Sequence, residues 1–177
     1  VMPSHLKTAK EAESAYSIQL VYDAITKLGQ QIDEQWKKKL LSNAYLRKFA
    51  ADNHFWYAAV LNMRGDVIYQ SGPLKTDMLP KSDLTVKGRK ATTVELLEKI
   101  RIKQDIGYVG MKLKGDSGIA VFCLDRQGRL YWSLKVAVER AMSKMGEGHG
   151  IAYLQVFNDQ KILLGNIGEL PAGLTSE

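Results

Sequence analysis

Apolar residues recur at steps of three or four in the N-terminal part of the chain, at Ile18, Val21, Ile25, Leu28, Ile32, Trp36 and Leu40. This spacing places them on one face of an α-helix, and the residues between them are mostly polar. The pattern predicts one long amphipathic helix, or two helices broken near "KLGQQ", packed on the domain's own sheet. The near-heptad spacing would also suit a parallel partner helix. Leu46, Phe49 and Ala50 continue the apolar face until "ADNHF" ends it.

Two later runs share one pattern of polar and apolar positions, "FWYAAVLNMRGDVIYQSGP" and "IAVFCLDRQGRLYWSL". In each, Leu is followed by Asn62 or Asp125, by two further residues, and then by Gly65 or Gly128. Asn and Asp initiate turns, Gly supplies a left-handed backbone, and the flanking residues are typical of strands. Both runs are therefore predicted to be β-hairpins. A third, weaker hairpin is predicted in "AYLQVFNDQKILLG", around Asn158-Asp159.

The segment between the first two runs changes character along its length. "SGPLKTDMLPKSDLTVKGRKATT" is rich in turn residues and predicts a loop. "ATTVELLEKIRIKQD" predicts a helix that Thr92 or Thr93 caps with help from Glu95, and whose inward residues are Val94, Leu97, Ile100 and Ile102. "IGYVGMKLKGDSG" predicts a strand that ends in a Gly-rich turn. "LKVAVERAMSKM" is expected to extend the second hairpin and then become a helix.

Composition limits the chemistry that this chain can perform. With 177 residues and 45% hydrophobic content, it is long enough to form one compact domain with an appendage. The single cysteine, Cys123, excludes an intramolecular disulfide and lies in a strand-like run that favours burial. The three histidines lack metal-ligand spacing, and no nucleophile elbow or phosphate loop is present. We expect no enzyme activity, no cofactor and no metal.

The charge and the hydropathy bear on partners and on location. The net charge is +6, and the basic residues are scattered apart from Lys37 to Lys39. This charge suits an anionic ligand or surface, and we expect no binding of nucleic acid. No apolar run reaches the roughly 18 residues that a membrane helix needs. Because the chain begins at Val1, we interpret it as an excised or processed piece, from which flanking transmembrane helices could have been removed.

The order of these elements resembles a known family. Three consecutive parts carry the resemblance: "NHFWYAAVLNMRGDVIYQSGP", the loop and helix that follow it, and "GIAVFCLDRQGRLYWSLKVAVERAM". The loop and helix between the two strand-like runs are called the excursion. In this order the parts are similar to extracytoplasmic PAS-like domains, also called PDC or Cache sensors, of bacterial receptor histidine kinases, chemoreceptors and cyclic-dinucleotide enzymes. The resemblance covers Thr8 to Met145. It implies an α+β fold in which a long N-terminal helix packs on a central antiparallel PAS-like sheet, with the excursion between two β-hairpins. It divides the chain into an N-terminal helical segment (1–53), a sensor core (54–149) and a C-terminal hairpin and tail (150–177) that packs on or completes the core.

The resemblance also implies a function, which is the sensory input domain of a membrane-bound receptor such as a two-component histidine kinase. In this family a small ligand lies between the sheet and the excursion, and the N-terminal helix carries the signal. The matching positions predict binding of a small, anionic ligand by Arg89, Lys90, Thr92, Thr93, Tyr108, Lys112 and Tyr131. The expected location is periplasmic, with a homodimer in the full receptor and membrane attachment through segments outside this chain. The alternative is a cytosolic roadblock- or longin-like interaction module that acts through dimerisation without a small ligand.

Overall fold

A computed structural model describes the backbone of residues 4–146, 154–157 and 163–167. The helices are α1 (Ser4–Lys37), α2 (Asn43–Asp52), α3 (Thr93–Gln104) and α4 (Arg126–Gly146). The strands are β1 (Tyr57–Leu61), β2 (Val67–Gln70), β3 (Thr85–Val86), β4 (Arg89–Lys90), β5 (Gly107–Lys112), β6 (Ile119–Leu124), β7 (Leu154–Phe157) and β8 (Leu163–Ile167). Short 3-10 turns occupy Lys81–Leu84 and Lys114–Asp116.

The chain divides into two compact units. One unit is Tyr22–Leu130, and the other combines Val1–Val21 with Tyr131–Glu177. The first unit is built on a four-stranded antiparallel sheet with the strand order β2-β1-β6-β5. The α+β fold class is thus confirmed, with a long N-terminal helix, an antiparallel sheet and further helices. The three-segment division of the sequence at 53/54 and 149/150 is a different partition and stays a prediction.

Helices of the Tyr22–Leu130 unit cover both faces of its sheet. On one face, a buried cluster joins Tyr57 and Cys123 of the central strands to Leu97 and Ile100 of α3. On the other face, the ring of Phe122 lies 5.4 Å from that of Phe49 in α2, measured between ring centroids. Every residue of β1 is buried, since both of its faces are covered. This double burial explains why the central strands are continuously apolar in sequence instead of alternating.

Helix α1 passes through Gly29 without a break, so the helical region is not interrupted near "KLGQQ". The break comes at 38–42, where Lys39 adopts a left-handed φ of 55°. Ile25 and Ile32 are fully buried, as the stripe predicts, whereas Ile18 and Leu40 remain 66% and 62% exposed. In α2, Leu46, Phe49 and Ala50 are buried, which confirms that the apolar face continues into the second helix.

The first predicted hairpin is confirmed. β1 and β2 pair antiparallel, with an irregularity between Val60 and Leu61. The side-chain oxygen of Asn62 accepts hydrogen bonds from the backbone N–H groups of Arg64 and Asp66. Gly65 has a φ of +88°, the left-handed conformation expected at this position of the turn.

The second predicted hairpin, Ile119 to Leu134, is wrong. Its first half forms β6, but α4 begins at Arg126, so "LKVAVERAMSKM" is helical throughout and extends no strand. The Asp125 carboxylate accepts the backbone N–H of Gly128 at 2.8 Å, which satisfies a donor at the start of α4. β6 already pairs with β1 on one side and β5 on the other. The excursion does lie between two hairpins, but the second is β5–β6.

Helix α3 buries a narrower face than the sequence predicts. Leu97 and Ile100 are buried, but Val94 is 39% exposed and Ile102 is 77% exposed. Ile102 follows Ile100 by two residues, a spacing that places side chains on different sides of a helix. The predicted strand before the Gly-rich turn is confirmed as β5, which is followed by Gly115 with a φ of +74°.

The second unit contains most of α4 and the strands β7 and β8, which pair antiparallel from Leu154↔Ile167 to Phe157↔Leu163. The strands of the third predicted hairpin are therefore confirmed. Its predicted turn at Asn158-Asp159 lies outside the described residues. Within α4, Trp132 and Met142 are buried.

Candidate functional site

The start of α3 carries a reciprocal capping box. The Thr92 hydroxyl oxygen accepts the backbone N–H of Glu95 at 3.3 Å, and the Glu95 carboxylate accepts the backbone N–H of Thr92 at 2.7 Å. The Thr92 hydroxyl also donates to the Glu95 carboxylate at 2.9 Å. The cap that the sequence predicts at this position is confirmed, with Thr92 and not Thr93 as the N-cap residue.

A small hairpin brings Arg89 to this cap. β3 and β4 pair antiparallel, and the two residues between them, Lys87 and Gly88, have φ values of 50° and 74°. Arg89 then contacts Glu95 with both terminal nitrogens, at 2.6 Å from Nη2 to Oε1 and 3.2 Å from Nη1 to Oε2. Such two-pronged pairing is the strong form of the arginine–carboxylate interaction.

Glu95 is accordingly held in its ionised form. The pKa of Glu95 is lowered to about 2. The hydrogen bond from Arg89 is the largest cause, and the hydrogen bonds from the Thr92 backbone and hydroxyl contribute less. A carboxylate of the chain itself thus lies where the sequence predicts an anionic ligand, between Arg89 and the first turn of α3. The structure brings Arg89, Lys90, Thr92 and Thr93 together at this end of the helix, with Lys90 exposed.

The other predicted ligand residues lie further away along the chain. Tyr108 is on β5, where its hydroxyl donates a hydrogen bond to Glu98 of α3. The pKa of Tyr108 is raised to about 12, mainly by desolvation and to a lesser extent by this hydrogen bond. Lys112 is at the far end of β5, with Nζ 4.0 Å from the Asp116 carboxylate. Tyr131 lies in α4 and in the other compact unit, because a helix replaces the strand that the sequence predicts.

Sequence reasoning missed the acidic residues that organise this region. The Glu98 carboxylate accepts a hydrogen bond from the Tyr108 hydroxyl. The Asp83 carboxylate, in the excursion, accepts one from Nζ of Lys103 at 2.9 Å. Lys99 donates to the backbone carbonyl of Asp83 at 2.5 Å, which ties the excursion to α3 a second time. The sequence feature that could have indicated the role of Glu98 is the spacing of acidic and basic residues along "VELLEKIRIK". This spacing places several of them on the exposed side of the helix.

Strand β5 contacts a helix on each face of the sheet. On one face, Tyr108 reaches Glu98 of α3. On the other, Met111 packs so closely on α1 that a Cβ atom built on Gly29 would lie 1.8 Å from its sulfur. The backbone N–H of Lys114, just past the strand, donates to the Asp33 carboxylate of α1 at 2.9 Å. A single strand therefore joins the excursion side to the N-terminal helix.

Two open grooves of the Tyr22–Leu130 unit lie away from the predicted ligand residues. One, of about 350 Å³, is lined by Trp36, Lys39, Leu41 and Tyr69. The other, of about 250 Å³, is lined in part by His54 and Asp125. Across the described ranges, no group of three or more His, Cys, Asp or Glu side chains could hold a metal ion. None of the helices described there is both long and apolar enough to cross a membrane.

Comparison with known proteins finds no family model that matches the chain and no curated protein with significant similarity.

Proposed function

We propose that this chain is the sensory input domain of a membrane-bound signalling receptor, which binds a small anionic ligand and passes the signal through α1. The observation that carries the proposal is the position of β5. Tyr108 of this strand contacts α3, while Met111 and the neighbouring Lys114 contact α1. A shift of α3 relative to the sheet would thus reach α1 through one strand. Allosteric coupling requires such a chain of packed elements between two sites.

The ligand would bind at the head of α3 by exchanging with Glu95. Arg89 presents two donors to that carboxylate, and Thr92 presents its backbone N–H and its hydroxyl. A ligand carboxylate or phosphate would accept the same donors, and Lys90 would add a second cation. Release of Glu95 would alter the cap of α3. Tyr108 lies beside the same helix, at Glu98, one turn further along.

In this proposal the domain is extracytoplasmic and of the PAS-like type, and it belongs to a receptor such as a histidine kinase. Membrane attachment would come from segments outside this chain, and the full receptor would be a homodimer. The resemblance of the element order to PDC or Cache sensors supports this assignment, as does the packing of α1 on β5 at Gly29, within the Tyr22–Leu130 unit.

A second candidate is a cytosolic interaction module of the roadblock or longin type. The observation that favours it is the filled space between the sheet and α3. The buried cluster there includes Leu79, Leu97 and Ile106, with Trp56 and Leu84 packed against it. A domain that recognises a protein has no need of a cavity at this place.

A thermal-shift screen of carboxylates, amino acids and phosphate against the chain tests the sensor proposal. A ligand at one hundred times its Kd stabilises the folded state by roughly 2.7 kcal/mol. We expect the double variant Arg89→Ala with Lys90→Ala to lose this stabilisation. The matched control is Arg47→Ala with Lys48→Ala, an exposed Arg-Lys pair on α2 that we expect to leave binding unchanged.

The variant Glu95→Gln sharpens this test. Loss of the internal carboxylate would leave Arg89 available, so the same ligand is expected to bind more tightly than to the parent. Equal binding by the parent, the Arg89/Lys90 double variant and Glu95→Gln would place the ligand elsewhere. The absence of stabilisation by every compound of the screen would favour the interaction module.

A further inference from the structure

In the part of the chain that the structure describes, strand β5 is an edge strand of the sheet. It pairs with β6 on one side, and across the described ranges no strand pairs with its other side. The opposite edge, β2, is shorter, and the side-chain oxygen of Asn43 accepts the backbone N–H of Gln70 there at 3.0 Å. Native proteins usually shorten, cover or charge such edges, because unpaired backbone groups attract another strand.

The register shows which backbone groups of β5 are free to pair. The backbone N–H of Leu113 donates to the carbonyl of Gly118 at 2.9 Å, directly opposite it in the continuation of the ladder. Because hydrogen-bonded and non-hydrogen-bonded pairs alternate along an antiparallel ladder, Met111, Val109 and Gly107 also bond to β6. The N–H and C=O groups of the residues between them therefore point to the open edge, at Tyr108, Gly110 and Lys112.

We propose that this edge binds the same edge of a second copy of the chain, as an antiparallel β5–β5 pair. A two-fold axis at Gly110 sets Gly110 against itself and Tyr108 against Lys112 of the other copy, so that the free groups of each strand face one another. An axis at Tyr108 would overlap fewer residues, and one at Lys112 would bring two like charges together. Axes at Val109 and Met111 would also pair the outward-pointing groups, but they would set Lys112 against Ile106 or Gly110 instead of Tyr108. The proposal is independent of the sensor function.

The side chains around the edge suit this partner. Lys112 is 69% exposed, and in this register it faces an aromatic ring instead of another cation. Gly110 at the axis places no pair of side chains against each other on the face of the joined sheet. Ile102 is 77% exposed and lies four residues after Glu98, the α3 residue that contacts Tyr108, so it adds apolar surface beside the strand.

Sedimentation of the parent chain over a concentration series tests the proposal, with Gly110→Lys as the variant. Gly110 is exposed, and a Cβ atom added there would have its nearest neighbour at 3.9 Å, an ordinary contact distance in the monomer. In the dimer two lysines would meet at the axis, and we expect dimerisation to weaken by more than about tenfold. The matched control is Gly72→Lys, where nothing lies within 4 Å and dimerisation is expected to stay at the parent level.

Hydrogen exchange on the parent gives a readout that does not depend on any variant folding. We expect the amides of Tyr108, Gly110 and Lys112 to become more protected as the protein concentration rises, and the amides of Val67–Gln70 to stay unchanged. A chain that stays monomeric at all concentrations would overturn the proposal. So would a dimer that Gly110→Lys leaves as tight as the parent, or one in which the protection of β5 does not change.

Discussion

Glu95 shows how one carboxylate can join two structural features. It accepts hydrogen bonds from Thr92 at the helix cap and from Arg89 on the small β3–β4 hairpin. The capping contact is local, since three residues separate its partners. The contact with Arg89 depends on a turn in which both central residues have positive φ. Removal of this one carboxylate therefore affects the helix end and the hairpin together.

The lowered pKa of Glu95 has a consequence for stability at acid pH. Because its pKa falls from 4.5 to about 2 on folding, ionised Glu95 stabilises the protein above pH 4.5, and this contribution is lost as the pH falls toward 2. Asp83, Glu98 and Asp105 also have lowered pKa values, so the parent loses stability for several reasons in this range. We expect Glu95→Gln to be less stable than the parent at neutral pH and to lose less stability on acidification.

Urea unfolding at a series of pH values measures this difference. The gap between the parent and Glu95→Gln is expected to close between pH 4.5 and about 2. A gap that stays constant through this range would show that folding does not lower the pKa of Glu95.

At the level of residues, the sequence predicted local chemistry better than distant pairing. Thr92 and Glu95 have the spacing of a capping box, and the apolar setting of Cys123 indicated burial. The pairing of Arg89 with Glu95 escaped prediction because it needs the left-handed turn at Lys87-Gly88, and lysine is an uncommon residue in that conformation. The Tyr108–Glu98 contact depends on how α3 crosses β5, which no local pattern specifies.

At the level of elements, the two similar runs show the limit of a turn motif. Asn62 and Asp125 both accept a nearby backbone N–H, yet one begins a turn and the other begins a helix. Such local hydrogen bonds suit turns and helix caps alike. The outcome depends on the sheet: β6 lies between β1 and β5, so neither edge is left for a return strand. This arrangement requires pairing between strands that are distant in sequence, so a local turn motif does not predict it.

The glycines of these two runs are expected to respond differently to substitution. Gly65 needs a positive φ, whereas Gly128 is packed so that a Cβ atom would lie 2.6 Å from the carbonyl oxygen of His54. Alanine is expected to cost about 1 kcal/mol or more at each site, from backbone strain at Gly65 and from steric overlap at Gly128. Asparagine tolerates left-handed backbone, so Gly65→Asn is expected to recover part of the loss while Gly128→Asn loses more.

Chemical denaturation of the four variants checks this contrast, with Gly72→Ala as the control for loss of a glycine. Gly72 has no positive φ, and nothing lies within 4 Å of its added Cβ atom. Recovery by asparagine at Gly128 to the extent seen at Gly65 would contradict the helical assignment of "RQG", the first residues of α4.

At the scale of the whole molecule, the α+β class followed from the order of apolar patterns. The 3.6-residue period of α1 and the continuous apolar runs of β1 and β6 each indicated one type of element. The division into two compact units could not be predicted from the sequence, because its boundaries fall within α1 and α4, at 21/22 and 130/131. A helical pattern continues across such a boundary without a break, and no linker composition marks it.

The apolar stripe of α1 provides the test of how the Tyr22–Leu130 unit closes its core. Ile25 is fully buried, while Ile18, seven residues earlier on the same helical face, is 66% exposed. Ile25→Asp would bury a carboxylate without a counter-ion, so we expect it to cost several kcal/mol. Ile18→Asp is the matched control, with the same change in helix propensity, and is expected to alter stability by about 0.5 kcal/mol or less. Urea unfolding and the Tm of both variants give the comparison, and equal losses at the two positions would mean that α1 does not cover the sheet as described.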